Sequence, residues 1–121
     1  MRGIGIDAVD IVRFRDVLAR RPAIRSRLFT DDELETVSTQ KDDAASLAAR
    51  FAVREATMKA LGVGLGAFDF HDVSVRRLPS GAPSLLVSGR AADLAQERGI
   101  TGWHVSITHT DSTAMAVVAA L

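Results

Sequence analysis

An unbroken run of helix-forming residues from Ala44 to Leu61 constrains this chain more than any other feature. Alanine, leucine, arginine and methionine dominate it, and no proline interrupts it. The run predicts one long helix, with Gly62 placed to end it. At about 3.6 residues per turn, Ala44, Leu47, Ala48, Phe51, Ala52 and Met58 fall on one side. Ser46, Arg50, Val53, Arg54 and Thr57 fall on the other. Glu55 lies near the middle of the apolar side, with Lys59 one turn further on. An isolated carboxylate on a buried face is costly, so Glu55 needs a cation, a metal or a proton. Two readings stand. One is a Glu55–Lys59 surface pair, worth only ~0.3 kcal/mol. The other is a carboxylate kept for chemistry.

With 121 residues, 47% of them hydrophobic, the chain is expected to form one globular domain over 1–121. It has no cysteine, which excludes disulfides and thiolate metal sites. No apolar run is long enough to span a membrane. The opening Met-Arg-Gly-Ile-Gly-Ile-Asp reaches an aspartate too early for a signal peptide, so a cytoplasmic protein without a membrane partner is expected. Fifteen basic and fifteen acidic residues balance, which argues against a dominant nucleic-acid field. Lys41 and Lys59 are the only lysines.

The first strand is expected within Arg2 to Ile11. Ile4 and Ile6 face one way, and Gly3, Gly5 and Asp7 the other. Glycine is unfavourable in a strand unless something approaches the backbone closely, so a ligand or second chain is expected against the face that carries Asp7. The alternative makes Asp7 a helix N-cap. A helix over Val12–Arg21 stops before Pro22, and a short turn follows at Ile24–Phe29. Arg13, Arg15, Arg20, Arg21, Arg25 and Arg27 face a single acid, Asp16. They form either a solvated face or a docking surface for an acidic partner. Nucleic acid ranks lower, because only Phe14 and Phe29 interleave.

Thr30 and Glu33 have capping-box spacing and open a short helix. Past the long helix, Gly62-Val63-Gly64-Leu65-Gly66 lacks dinucleotide-fingerprint spacing and follows a helix, not a strand. Strands around Val73–Val75 and Ser84–Ser88 flank the turn Pro79–Pro83 and make a hairpin. Gly89–Arg98 is a helix ended by Gly99. Trp103, Val105, Ile107 and His109 alternate on one face of a further strand, and Thr113–Leu121 forms the last.

Asp7 and Glu55 are thus two carboxylates in unusual places, with Lys59 and His109 as cationic or proton-transfer partners. Mg²⁺ is commonly held by one or two carboxylates, waters and substrate phosphates. A lysine beside such a site suits phosphate charge. These residues point to a Mg²⁺-dependent enzyme acting on a phosphate or pyrophosphate ester.

Three motifs resemble one family in register. Gly3-Ile4-Gly5-Ile6-Asp7-Ala8-Val9-Asp10-Ile11, with Arg13 just after, resembles the opening motif of the holo-acyl-carrier-protein synthases, the small 4′-phosphopantetheinyl transferases. Arg50-Phe51-Ala52-Val53-Arg54-Glu55-Ala56-Thr57-Met58-Lys59-Ala60-Leu61-Gly62 resembles the central motif. Trp103-His104-Val105-Ser106-Ile107-Thr108-His109-Thr110 resembles the last, and Gly81 and Pro83 fit the hairpin. Arg54, Val63 and Thr108 depart from the usual lysine, threonine and serine.

The resemblance implies an α+β fold with a small antiparallel sheet packed against a long central helix and shorter helices. It implies transfer of phosphopantetheine from coenzyme A to a serine of an apo acyl carrier protein, with release of 3′,5′-ADP. Asp7 and Glu55 would ligate Mg²⁺, and Glu55 would activate the serine, directly or through water. Lys59 would steady phosphate charge. His109 and Thr110 would lie at the coenzyme A nucleotide, with Gly62 and Gly64 allowing close approach and Pro83 lining the cleft. Arg13 and Arg20 would dock the acidic carrier protein. A homotrimer with sites between subunits is also implied. Three competing readings remain: a Mg²⁺-dependent phosphoesterase, an arginine-rich binding module without catalysis, and a domain excised from a larger synthase. A free-standing enzyme is the expectation.

Overall fold

A computed structural model describes residues Met1–Leu121. Strand β1 (Gly3–Asp10) leads into helices α1 (Ile11–Arg20), α2 (Ile24–Leu28), α3 (Asp31–Val37) and the long α4 (Ala44–Leu61). A 3₁₀ turn at Phe70–Asp72 precedes the hairpin β2 (Val73–Arg77) and β3 (Pro83–Val87). Helix α5 (Gly89–Glu97), β4 (Trp103–His109) and β5 (Thr113–Ala120) complete the chain. The fold is α+β, as the motifs implied. A three-stranded antiparallel sheet has the order β1-β5-β4, and the hairpin forms a second, two-stranded sheet.

Helix α4 is the spine. Its Ala52, Ala56 and Ala60 pack with Ala116, Val118 and Ala120 of β5 in one core cluster. Its Leu47, Ala48 and Ala49 pack with Ile11, Phe14 and Leu18 of α1 in a second. Because elements cover it from both sides, α4 is not a simple two-faced helix. Arg50, Val53, Arg54 and Thr57, which the helical wheel placed on the open side, are all buried. The partly open stripe is instead Phe51, Glu55 and Lys59, spaced four residues apart. Glu55 therefore faces a water-accessible edge, not the middle of the apolar side.

Strand β1 also departs from expectation. Its Gly3 and Gly5 lie directly against the backbone of α4. A Cβ added to Gly5 would stand 1.9 Å from the Ala56 carbonyl oxygen, and one on Gly3 2.1 Å from that of Ala60. Glycine is required because helix and strand approach backbone to backbone. Ile4 and Ile6 point to the other face and remain 60% and 61% exposed. The cap of α1 is Asp10, which accepts from the Arg13 backbone N–H at 3.1 Å, and not Asp7. That frees the Asp7 carboxylate.

Two further local signals hold and one shifts. Thr30 and Glu33 form the capping box of α3. Gly62 ends α4 at φ 71°, a left-handed conformation that a side chain would strain. Pro83 belongs to the first pair of the β2–β3 ladder, opposite Arg77, and not to the turn. It tolerates the position because a strand end need not use its N–H.

Candidate active site

Two groups of side chains flank α4. The first lies where β1 passes the C-terminal half of the helix. Lys59 donates from Nζ to Asp7 Oδ1 at 3.1 Å and to the Ile6 carbonyl at 2.9 Å. Glu55 stands one turn before Lys59 and within the field of Asp7. Burial pushes the Glu55 carboxyl above its ordinary value, the Asp7 charge pushes it further, and Lys59 partly offsets both. The surface reading of Glu55 as the partner of Lys59 does not hold: the lysine bonds Asp7 instead. Lys59 also lines an open basic cleft of about 540 Å³ with Arg2, Gly62 and Arg98. Nothing in the chain crowds the Cα of Gly62 or Gly64.

The residues at this edge suit Mg²⁺. The donor set is two carboxylates, with no third His, Cys, Asp or Glu close enough to complete a metal cluster. That is too few for a closed all-protein site, and it matches an ion that keeps waters and substrate phosphates as ligands. The Asp7–Glu55 repulsion is the strain that a divalent cation would relieve.

The second group lies further round α4, against the hairpin and the end of β4. Gly81, Pro83, Arg77 and His109 line a cavity of about 240 Å³ with Ala45, Ala49 and Arg50. Arg50 is buried, and its Nε has no hydrogen-bond partner in the chain. Burial lowers its affinity for its proton, the Glu33 charge counters this, and Arg77 and Arg54 lower it again. A buried guanidinium with an unused donor calls for an anion. The sequence reading passed over Arg50 and Arg77 as site residues. The available signal was Arg50 itself, an arginine four residues before Arg54 in an apolar helix.

Thr110 directly follows His109 at the end of β4. Its Oγ1 accepts from the backbone N–H groups of Ser112 and Thr113 at 3.3 and 3.1 Å, closing the β4–β5 turn. Arg13 and Arg20 are both exposed on α1. Within one chain the two groups do not meet. Strand β5 separates β1 from β4. Around α4, Ala45, Ala49 and Arg50 lie roughly a third of a turn away from Glu55 and Lys59.

The comparisons with known proteins bear on the family and the fold. Residues 3–118 match the model of the 4′-phosphopantetheinyl transferase superfamily. The holo-[acyl-carrier-protein] synthase of Beutenbergia cavernae is 44% identical over 98% of this chain and 96% of its own length. The crystal structure of the holo-[acyl-carrier-protein] synthase from Neisseria meningitidis superposes with a TM-score of 0.90 at 28% identity, covering 100% of this chain and 98% of that one. The Helicobacter pylori enzyme, solved in complex with coenzyme A, gives a TM-score of 0.81 at 29% identity over 98% and 99% of the two chains. The chain belongs to the 4′-phosphopantetheinyl transferase superfamily. It is a transferase of the kind these synthases represent.

Proposed function

We propose that this protein moves 4′-phosphopantetheine from coenzyme A to a serine hydroxyl of an apo acyl carrier protein in a Mg²⁺-dependent reaction that releases 3′,5′-ADP. The observation that carries the reading is the convergence of Asp7, Glu55 and Lys59 from β1 and α4 at one open edge. Asp7 and Glu55 would hold the ion, which when bound supplies positive charge to the pyrophosphate oxygens. Glu55 takes the proton from the serine Oγ. That oxygen forms the new bond to the pantetheine-bearing phosphorus. The bond to the departing phosphate breaks, and its electron pair leaves with 3′,5′-ADP. Lys59 Nζ, already fixed by Ile6 and Asp7, meets the phosphate charge without reorganising.

The pocket of Arg50, Arg77, Pro83 and His109 suits the nucleotide end of coenzyme A, with two guanidinium groups for phosphate. Because α4 and β5 keep it apart from Asp7 in one chain, a neighbouring copy supplies it. A homotrimer, in which the sheet faces bearing Ile4 and Ile6 are covered, brings one copy's carboxylates to the next copy's pocket. Helix α1 starts four residues after Asp7, so a carrier protein docked on Arg13 and Arg20 presents its serine nearby. The product carrier would serve fatty acid and lipid biosynthesis in the cytoplasm. No helix is long and apolar enough to cross a membrane.

Intact mass measurement of an apo carrier protein incubated with this protein, coenzyme A and Mg²⁺ tests the reading. One added phosphopantetheine is expected, and EDTA or Asp7→Ala should remove it. Hydrolysis of coenzyme A with no gain on the carrier would make the protein a phosphoesterase instead.

A further inference from the structure

A buried charged network joins the walls of the basic pocket without entering it. Glu33 is 1% exposed and Arg54 0%. Glu33 Oε2 accepts from Arg54 Nη1 at 3.0 Å and from the Val75 backbone N–H at 3.1 Å. Its Oε1 accepts from the Thr30 backbone N–H at 3.0 Å and from Arg54 Nη2. Arg54 also donates to the Phe70 carbonyl at 2.8 Å and the Arg50 carbonyl at 3.3 Å. Its guanidinium lies 5.1 Å from the centre of the Phe29 ring. Four elements therefore meet on one ion pair: α3, α4, the 3₁₀ turn and β2.

Two partners in this network, Arg50 and Val75, line the pocket; Glu33 and Arg54 do not. Stability alone does not account for such a pair, because well-packed apolar residues serve as well in a core. A bidentate fork gives what apolar packing lacks, a fixed distance and orientation between two elements. Here those elements are α4 and β2, two walls of the cavity. Glu33 is also the carboxylate whose field opposes the crowding of Arg50 by Arg54 and Arg77.

We propose that Glu33 is a positioning residue for coenzyme A: through Arg54 and Val75 it sets the gap between α4 and β2, and so the placement of the Arg50 guanidinium. The inference rests on the assignment of that pocket to the coenzyme A nucleotide. The test is steady-state kinetics of the intact enzyme, with coenzyme A and carrier protein varied separately and the melting temperature followed. Glu33→Gln keeps the size of the side chain but removes the charge and one acceptor oxygen, so only one of the Thr30 and Val75 N–H groups keeps its partner. It should raise KM for coenzyme A about tenfold while KM for carrier protein stays within about twofold. A folded variant with an unchanged coenzyme A KM, or with both constants raised alike, overturns the proposal. If Glu33→Gln does not fold, Arg54→Lys replaces it, keeping charge without the fork. A rise of about threefold in coenzyme A KM is then expected, and no change overturns the proposal. Arg50→Ala separates the two levels. If it leaves the coenzyme A KM unaltered, the pocket assignment fails. If it raises that KM while Glu33→Gln is silent, only the positioning role fails.

Discussion

Lys59 binds Asp7 across the gap between α4 and β1, at 3.1 Å, while the same ammonium holds the Ile6 carbonyl. The last turn of the spine helix is thereby tied to the strand that carries the first carboxylate. Glu55, one turn earlier, is left with Asp7 as an unfavourable neighbour. Charge imbalance at this edge is the property on which phosphate chemistry can draw.

Glu55→Gln should abolish transfer, by about a thousandfold or more, and yet not destabilise the fold. The sign follows from its raised carboxyl. Folded protein holds that proton more tightly than unfolded chain, so ionised Glu55 opposes folding. The penalty is absent below the ordinary value of 4.5 and grows as pH rises through the folded value. Thermal melts should place the variant about 1–3 °C above wild type at neutral pH and level with it in acid. Millimolar Mg²⁺ should raise the wild-type melting temperature and leave the variant unmoved. A variant less stable at neutral pH would contradict the assignment.

Gly5→Ala should be among the most damaging small substitutions. The new methyl would stand 1.9 Å from the Ala56 carbonyl, and backbone cannot give way as a side-chain tip can. We expect a loss of about 3 kcal/mol or more in urea unfolding, or no folded protein. A loss under about 1 kcal/mol would mean that β1 and α4 separate easily.

Mixing two inactive variants reads out the shared site. Asp7→Ala and His109→Ala each spoil a different group, and in one chain α4 and β5 keep those groups apart. If neighbouring copies complete the site, unfolding and refolding the two together should restore about a quarter of wild-type activity. Activity no higher than the sum of the separate variants would place the whole site in one chain.

Arg13→Ala with Arg20→Ala should raise KM for the carrier protein about tenfold at low salt and leave coenzyme A unaffected. Both side chains are exposed, and neither takes part in an ion pair, so stability should change little. The salt dependence of the carrier KM should flatten as well. An unchanged salt slope would move the docking surface off α1.

Local signals in the chain determined much of this protein. The long helix, the capping box at Thr30 and Glu33, the glycine at position 62 and the hairpin all depend on neighbours within a few residues, which is the range over which capping, turn and propensity rules act. The three motifs named Asp7, Glu55, Lys59 and His109. Tertiary structure alone decided which of them meet. Helical periodicity assumes one wet side, but α4 is packed by the sheet on one flank and by α1 and β2 on another, so Arg54 is buried and Glu55 is not. Strand alternation showed that Gly3 and Gly5 admit a close neighbour, but not that the neighbour is their own helix. The Glu33–Arg54 pair spans 21 positions and the Lys59–Asp7 pair 52. Contacts at such separations depend on how whole elements pack, and no local pattern encodes that.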